Sequence, residues 1–147
     1  METNITMHFT IEEMYASDTA TRLGINNKPS TQQMINLVYL CAFVLEPLRV
    51  AMGKPINIRS GFRCPQLNKA VGGVYNSQHL KGQAADIDIQ GDMAFGRKIF
   101  DYIRDHLPFD QLIWEHNKGG TYWVHVSFVF PDFGKNRKQV IDNLLKK

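Results

Sequence analysis

The segment Ser77-Gln78-His79-Leu80-Lys81-Gly82-Gln83-Ala84-Ala85-Asp86 holds an imidazole and a carboxylate separated by a glycine and two alanines. Zinc accepts imidazole nitrogen and carboxylate oxygen at about 2 Å, so its ligands must converge with little bulk between them. Gly82, Ala84 and Ala85 permit that return of the backbone. A second imidazole, His125, lies in the alternating run Tyr-Trp-Val-His-Val-Ser. Two histidines and one carboxylate leave the fourth tetrahedral position open, the pattern of a catalytic rather than a structural zinc site. Ordinary roles stand beside this one: a strand histidine is often only hydrogen-bonded, and a strand aspartate often caps a turn. The five histidines do not cluster as in a zinc finger, and neither HExxH nor CxxC occurs.

These side chains meet only if the elements between them cooperate. Thr10-x-x-Glu13 has the form of a capping box, and the segment IEEMYASDTATRLG reads as a short helix ending at Gly24. Ser30 and Gln33 form a second box, opening a longer helix in which Met34, Ile35, Leu37, Val38, Cys41, Val44, Leu45 and Leu48 recur at helical spacing. Pro47 should kink this helix or shift its last turn, and Gly53 and Pro55 end it. Residues 56–60 alternate as a strand, and GFRCPQLNKAVGG is irregular with one helical turn over QLNKAV. AADIDI is a strand with Asp86 and Asp88 on one face and Ile87 and Ile89 on the other. A helix over residues 92–106 turns Phe95, Ile99, Tyr102 and Ile103 inward. QLIWE and YWVHVSFVF form a hairpin through HNKGGT, and the tail KNRKQVIDNLLKK reads as a short basic helix or a frayed end. The pattern predicts one α+β domain over residues 1–147, with helices packed on a mostly antiparallel sheet.

The segment SGFRCPQLNKAVGGVYNSQHLKGQAADIDI resembles the central motif of the M15 metallopeptidases, SGxRxxxxN…GG…SxHxxGxAxD followed later by WxH. Here the pattern is carried by Ser60-Gly61-Phe62-Arg63, Asn68, Gly72-Gly73, Ser77-x-His79, Gly82, Ala84, Asp86 and Trp123-x-His125. The likeness runs in element order from about Phe9 to Phe130. The family comprises zinc D-Ala-D-Ala carboxypeptidases and dipeptidases, together with phage L-Ala-D-Glu peptidases. The resemblance implies the hedgehog/DD-peptidase fold, a Zn2+ cofactor on His79, Asp86 and His125, and hydrolysis of peptidoglycan stem peptides, D-Ala-D-Ala carboxypeptidase type first.

In the dipeptidase branch an acidic residue stands three positions before the last histidine ligand. Tyr122 occupies that position here and cannot act as a carboxylate base. If Glu115 faces Trp123 across the hairpin and Ile113 faces His125, Glu115 becomes a diagonal neighbour of His125 and the best replacement. A register offset by one turns Glu115 away, and His116, on the opposite face, is the other candidate base. Arg63, placed near the metal in the family, suits the negative charge of a hydrolysing carbonyl or a substrate carboxylate. Ser77 is expected to bind substrate or brace the His79 loop. Asp88 is a candidate to orient a ligand, Arg59 reads as a solvated strand residue, and Trp114 and Trp123 read as core packing beside the site.

A net charge of +3 over 147 residues favours anionic partners without choosing among them. The expected partner is a peptidoglycan peptide, with neither nucleic acid nor membrane, and the expected state is a monomer. No apolar run approaches the length of a membrane span, and METNITMHFTIEEM lacks the n-region and h-region of a signal peptide. Cytoplasmic synthesis follows, and a phage-encoded enzyme released to the cell wall is one setting that fits. Cys41 reads as core, Cys64 as a free loop thiol, and a reducing compartment as the simpler environment. A non-catalytic zinc domain of the hedgehog kind is the competing class, supported by the missing acid at position 122.

Overall fold

A computed structural model of the chain describes residues 2–143. The Thr10/Glu13 box forms: Thr10 N–H donates to the Glu13 carboxylate at 2.9 Å, and Glu13 N–H donates to Thr10 Oγ1 at 3.2 Å. It closes only a 3-10 turn over Glu12–Met14, and the first α-helix, α1 (Asp18–Leu23), starts afresh behind Ser17, whose Oγ accepts from Ala20 N–H. The single helix expected here is therefore two pieces. The cause is Met14, whose side chain is fully buried and whose carbonyl accepts from Phe62 N–H at 2.7 Å instead of continuing a helical ladder.

Ser30 and Gln33 cap α2 (Thr31–Leu40) reciprocally. A π turn over Cys41–Leu45 joins it to α3 (Glu46–Met52). Pro47 lacks an N–H, and its ring would strike the carbonyl four residues back in a regular helix. The widened turn absorbs this, with Glu46 N–H reaching Cys41 O, five residues back. The run Thr31–Met52 is long and apolar enough by composition to cross a membrane, which corrects the expectation that nothing approaches that length. Its Leu37, Leu40, Cys41, Val44, Leu45 and Leu48 are fully buried in the core of the described structure.

The sheet runs β1-β2-β4-β3-β5, with β1 Asn57–Ser60, β2 Ala84–Asp88, β3 Gln111–His116, β4 Tyr122–Ser127 and β5 Gln139–Asp142. Neighbours are antiparallel except β3 and β5, which are parallel. The tail is thus an edge strand up to Asp142 rather than a helix or a fray, while residues 144–147 lie outside the described residues. Between β1 and β2 lie α4 (Pro65–Ala70) and a 3-10 turn over Gln78–Lys81, and α5 (Met93–His106) follows β2. Helix α5 buries Gly96, Ile99, Phe100 and Ile103, so Phe100 belongs to the inner face while Phe95 and Tyr102 sit at its margin. Ile87, Leu112, Trp114, Val124 and Val126 turn one face of the sheet into this core. Strand alternation therefore sends Asp86, Ile113, Glu115, Trp123 and His125 to the opposite face.

Candidate metal centre

On that opposite face the register sets Asp86 beside His125 across β2 and β4, and Ile113 beside His125 across β3 and β4. His125 Nδ1 lies 2.9 Å from Asp86 Oδ1, and His79 Nε2 lies 3.3 Å from the same oxygen. One donor atom from each of the three residues falls within 4.8 Å of the others. Tetrahedral ligands at about 2 Å from zinc stand roughly 3.3 Å apart, so the spacing fits such an ion. His79 also carries a second bond that fixes its tautomer: Nδ1 donates to the Gly61 carbonyl at 2.6 Å, leaving the Nε2 lone pair to face Asp86. The donor set, two nitrogens and one oxygen, and this backbone-anchored ring are what a zinc ion requires. Burial alone would raise the Asp86 carboxyl, but the two imidazoles outweigh it and hold the group well below the usual carboxylate range. Asp86 is therefore the anion that a divalent cation needs at this point.

The His79 turn hangs from the long helix. Gln33 Nε2 donates to Leu80 O at 3.2 Å, and Asn36 Nδ2 donates to Lys81 O at 2.8 Å. Gly82 closes the turn at φ +73°, and a Cβ there would stand 2.5 Å from Gln33 O, so the turn can lie on α2 only with glycine at this position. Ser77 Oγ accepts from His79 N–H at 3.1 Å, which assigns it the bracing role, although it also lines the cavity described below. Gly61 answers a similar need on the other side: a Cβ would lie 2.1 Å from Met14 O. Beyond Gly61, buried Asn27 donates to Tyr15 O at 2.8 Å and Phe62 O at 3.0 Å, and accepts from Cys64 N–H at 2.7 Å. Arg63, between those two bonded residues, also joins the His79 turn, its N–H donating to His79 O at 3.1 Å.

A cavity of about 570 Å³ opens over the three ligands, and its lining includes Arg63, Ser77, Ile113, Glu115 and Trp123. Glu115 pairs with Trp123 in the register that makes it a diagonal neighbour of His125. Among the described residues its carboxylate has no hydrogen-bond or ion-pair partner. His116 pairs with Tyr122, packs its ring against that of Tyr122 and does not line the cavity. The Arg63 Nε is buried without a partner in the described structure, and burial lowers the guanidinium pKa against the opposing pull of Asp86. Asp88 Oδ1 caps the turn after β2 by accepting from Gln90 N–H, so no ligand-orienting contact involves it. Trp114 is core, whereas Trp123 is half-exposed and walls the cavity.

Four polar anchors were missed in the sequence: Asn27, Gln33 in its second role, Asn36 and Asp110. Only Asn36 left a signal, an amide between apolar Ile35 and Leu37 on a helix. Asp110 bonds Arg137 through both oxygens, its Oδ2 at 2.7 Å from Nη2, and ties the stretch before β5 to the stretch before β3.

The sequence profile of the peptidase M15 family matches residues 7–127. Over 44 residues the chain is 50% identical to the zinc D-Ala-D-Ala carboxypeptidase of Streptomyces albus G. That stretch covers 29% of this chain and 17% of the length of that protein.

Proposed function

The chain belongs to the peptidase M15 family, and on that premise we propose that it hydrolyses peptidoglycan stem peptides with zinc held by His79, Asp86 and His125, as a D-Ala-D-Ala carboxypeptidase. The carrying observation is the convergence of these three donor sets beneath a cavity that also contains Arg63 and the unpartnered Glu115. The short match to a relative named for that activity supports the carboxypeptidase choice. An L-Ala-D-Glu endopeptidase is the second reading, favoured by a groove that continues past the ligands on the far side of Arg63 and Trp123.

Held by His79, Asp86 and His125, zinc would supply Lewis acidity toward the scissile carbonyl and the attacking water. Glu115 takes the proton of that water on a carboxylate oxygen and returns it to the leaving amine. The diagonal separation across an antiparallel pair, roughly 7–8 Å, leaves room for the water between Glu115 and the His125 position. The Arg63 guanidinium, half-buried with its Nε unpartnered, meets the carbonyl oxygen as negative charge develops there. His79 is held from behind by Gly61, which orients its ring toward Asp86.

The test is hydrolysis of purified muropeptides by the wild type and by Glu115→Gln, with zinc content measured in both and products identified by mass spectrometry. The wild type should release D-Ala, and Glu115→Gln should keep its zinc while losing about a hundred- to ten-thousandfold in kcat. A wild type that holds zinc yet cleaves no D-Ala or D-Glu linkage would establish the non-catalytic class instead. Stoichiometric zinc in His125→Ala would overturn the ligand set.

A further inference from the structure

Past Arg63 and Trp123 the groove opens into a second lobe of about 460 Å³. It shares Arg63, Val71, Asp86 and Trp123 with the first lobe and adds Arg59, Ser60 and the start of α1. Arg59 enters this lobe through a defect in the sheet. Ile58 pairs with Ile87 and Ser60 with Asp86, so Arg59 is the extra residue of a bulge in β1. Bulges of this kind re-aim a side chain, and here Arg59 crosses toward β4 and lies on the Trp123 ring, with its guanidinium carbon 4.6 Å from the centroid.

A guanidinium lying over an indole keeps its planar fork of N–H donors, and a carboxylate can meet two of them at once. Arg97, Arg104 and Arg137 each close on a carboxylate of this chain. Arg59 does not: among the described residues no carboxylate oxygen lies within bonding distance of it, although exposed Asp18 lines the same lobe. Arg59 is exposed, as the strand pattern implied, but the bulge and the Trp123 ring direct it into this lobe, where its donors face the groove.

We propose that Arg59, lying over Trp123, receives a substrate carboxylate outside the scissile bond, in the lobe that Glu115 does not line. It is then a specificity-determining residue for acidic stem peptides. This rests on the peptidase reading above. The carboxylate has two sources in a stem peptide, the side acid of D-Glu and the free C-terminus, and both offer the same chemistry.

The test uses synthetic stem peptides in two matched pairs, one with D-Glu against its amide and one with a C-terminal acid against its amide. Each is assayed with zinc-loaded wild type, Arg59→Gln and Arg59→Lys. The same pairs are titrated calorimetrically against Glu115→Gln protein with and without Arg59→Gln, which reads binding without turnover. In one pair, amidation should raise the wild-type KM and the calorimetric Kd about tenfold, the value of one charged hydrogen-bonded contact, with kcat within about twofold. With Arg59→Gln the acid should bind as weakly as the amide, and Arg59→Lys should fall between, since it keeps charge without the planar fork. The responding pair identifies which carboxylate is held. Equal acid-to-amide ratios of Kd with and without Arg59→Gln in both pairs overturn the proposal. Absence of cleavage by the wild type sinks the peptidase reading separately, while the calorimetric ratios still decide the role of Arg59.

Discussion

Asn27→Ala tests whether the Arg63 segment is positioned by a buried amide rather than by its own backbone preference. Asn27 is 7% exposed and makes three hydrogen bonds, to Tyr15 O at 2.8 Å, Phe62 O at 3.0 Å and Cys64 N at 2.7 Å. Each such bond contributes about 1 kcal/mol net, and partners left dry cost more than partners rehydrated, so the loss should be about 2–4 kcal/mol. For a chain of this length that lowers the unfolding temperature by roughly 4–16 °C. Asn27→Asp should cost at least as much, because its carboxylate still accepts from Cys64 but turns negative charge toward the carbonyls of Tyr15 and Phe62. Urea unfolding reads the stability, and kcat/KM on a muropeptide reads the position of Arg63. The two should fall together, with zinc stoichiometry preserved under conditions where the variant is folded. A cost below about 1 kcal/mol, with activity unchanged, would refute the assignment of Asn27 as the anchor.

Gly82→Ala should destabilise the chain by about 2–4 kcal/mol and weaken zinc affinity, because strain at positive φ adds to a clash with Gln33 O; denaturant melts and competition with a chelator measure both. Stripping zinc should lower the unfolding midpoint and adding it back should restore it, by about 4 kcal/mol at a thousandfold excess over Kd, and an unchanged midpoint would mean that the three donors hold no ion. Acid should expose the Asp110–Arg137 pair. Hydrogen bonds from Arg137 hold the Asp110 carboxyl below its usual range, so its contribution is complete above the ordinary carboxylate pKa and drains away as pH falls below it. Asp110→Asn should lower stability at neutral pH and flatten the acid limb of a stability–pH curve; an unaltered acid limb would show the pair to be inert.

Much of the site was legible because it depends on local periodicity. The small residues between His79 and Asp86 announced a close return, and the Gly119-Gly120 turn with flanking alternation marked a hairpin with two possible registers, of which the structure adopts the one that carries Glu115 to the face of His125. What escaped was set by distant partners. Asn26 and Asn27 are adjacent in one polar loop, yet Asn26 is exposed and only accepts from Lys28 N–H, while Asn27 is buried under three bonds. Nothing in the loop itself separates them. The helix expected over residues 11–24 broke because the Met14 carbonyl serves Phe62, and the tail became β5 because β3 offered it an edge. The bulge that frees Arg59 exists only as a mismatch of pairing between β1 and β2, which a strand pattern read alone does not contain.

The same bookkeeping of partners divides the groove into what is built and what waits. His79, Asp86 and His125 bond one another or the backbone, and the residues behind them, Gln33, Asn36, Asn27 and Ser77, spend their polar atoms on the turns that carry the ligands. Arg63 Nε and the Glu115 carboxylate lie at the groove without a hydrogen-bond or ion-pair partner among the described residues, and exposed Arg59 lies over Trp123 with no carboxylate in bonding distance. Leaving a charge unmatched near a desolvated surface costs stability, and chains commonly resolve it by pairing, as Arg137 and Asp110 do at the rim. On the proposals above, one peptide would engage all three, its carbonyl meeting Arg63, its amide nitrogen taking a proton from Glu115 and its carboxylate meeting Arg59. The buried, unpartnered Arg63 Nε and the free Glu115 carboxylate, set beside the His79–Asp86–His125 cluster, are the part of this arrangement that most supports a peptide substrate.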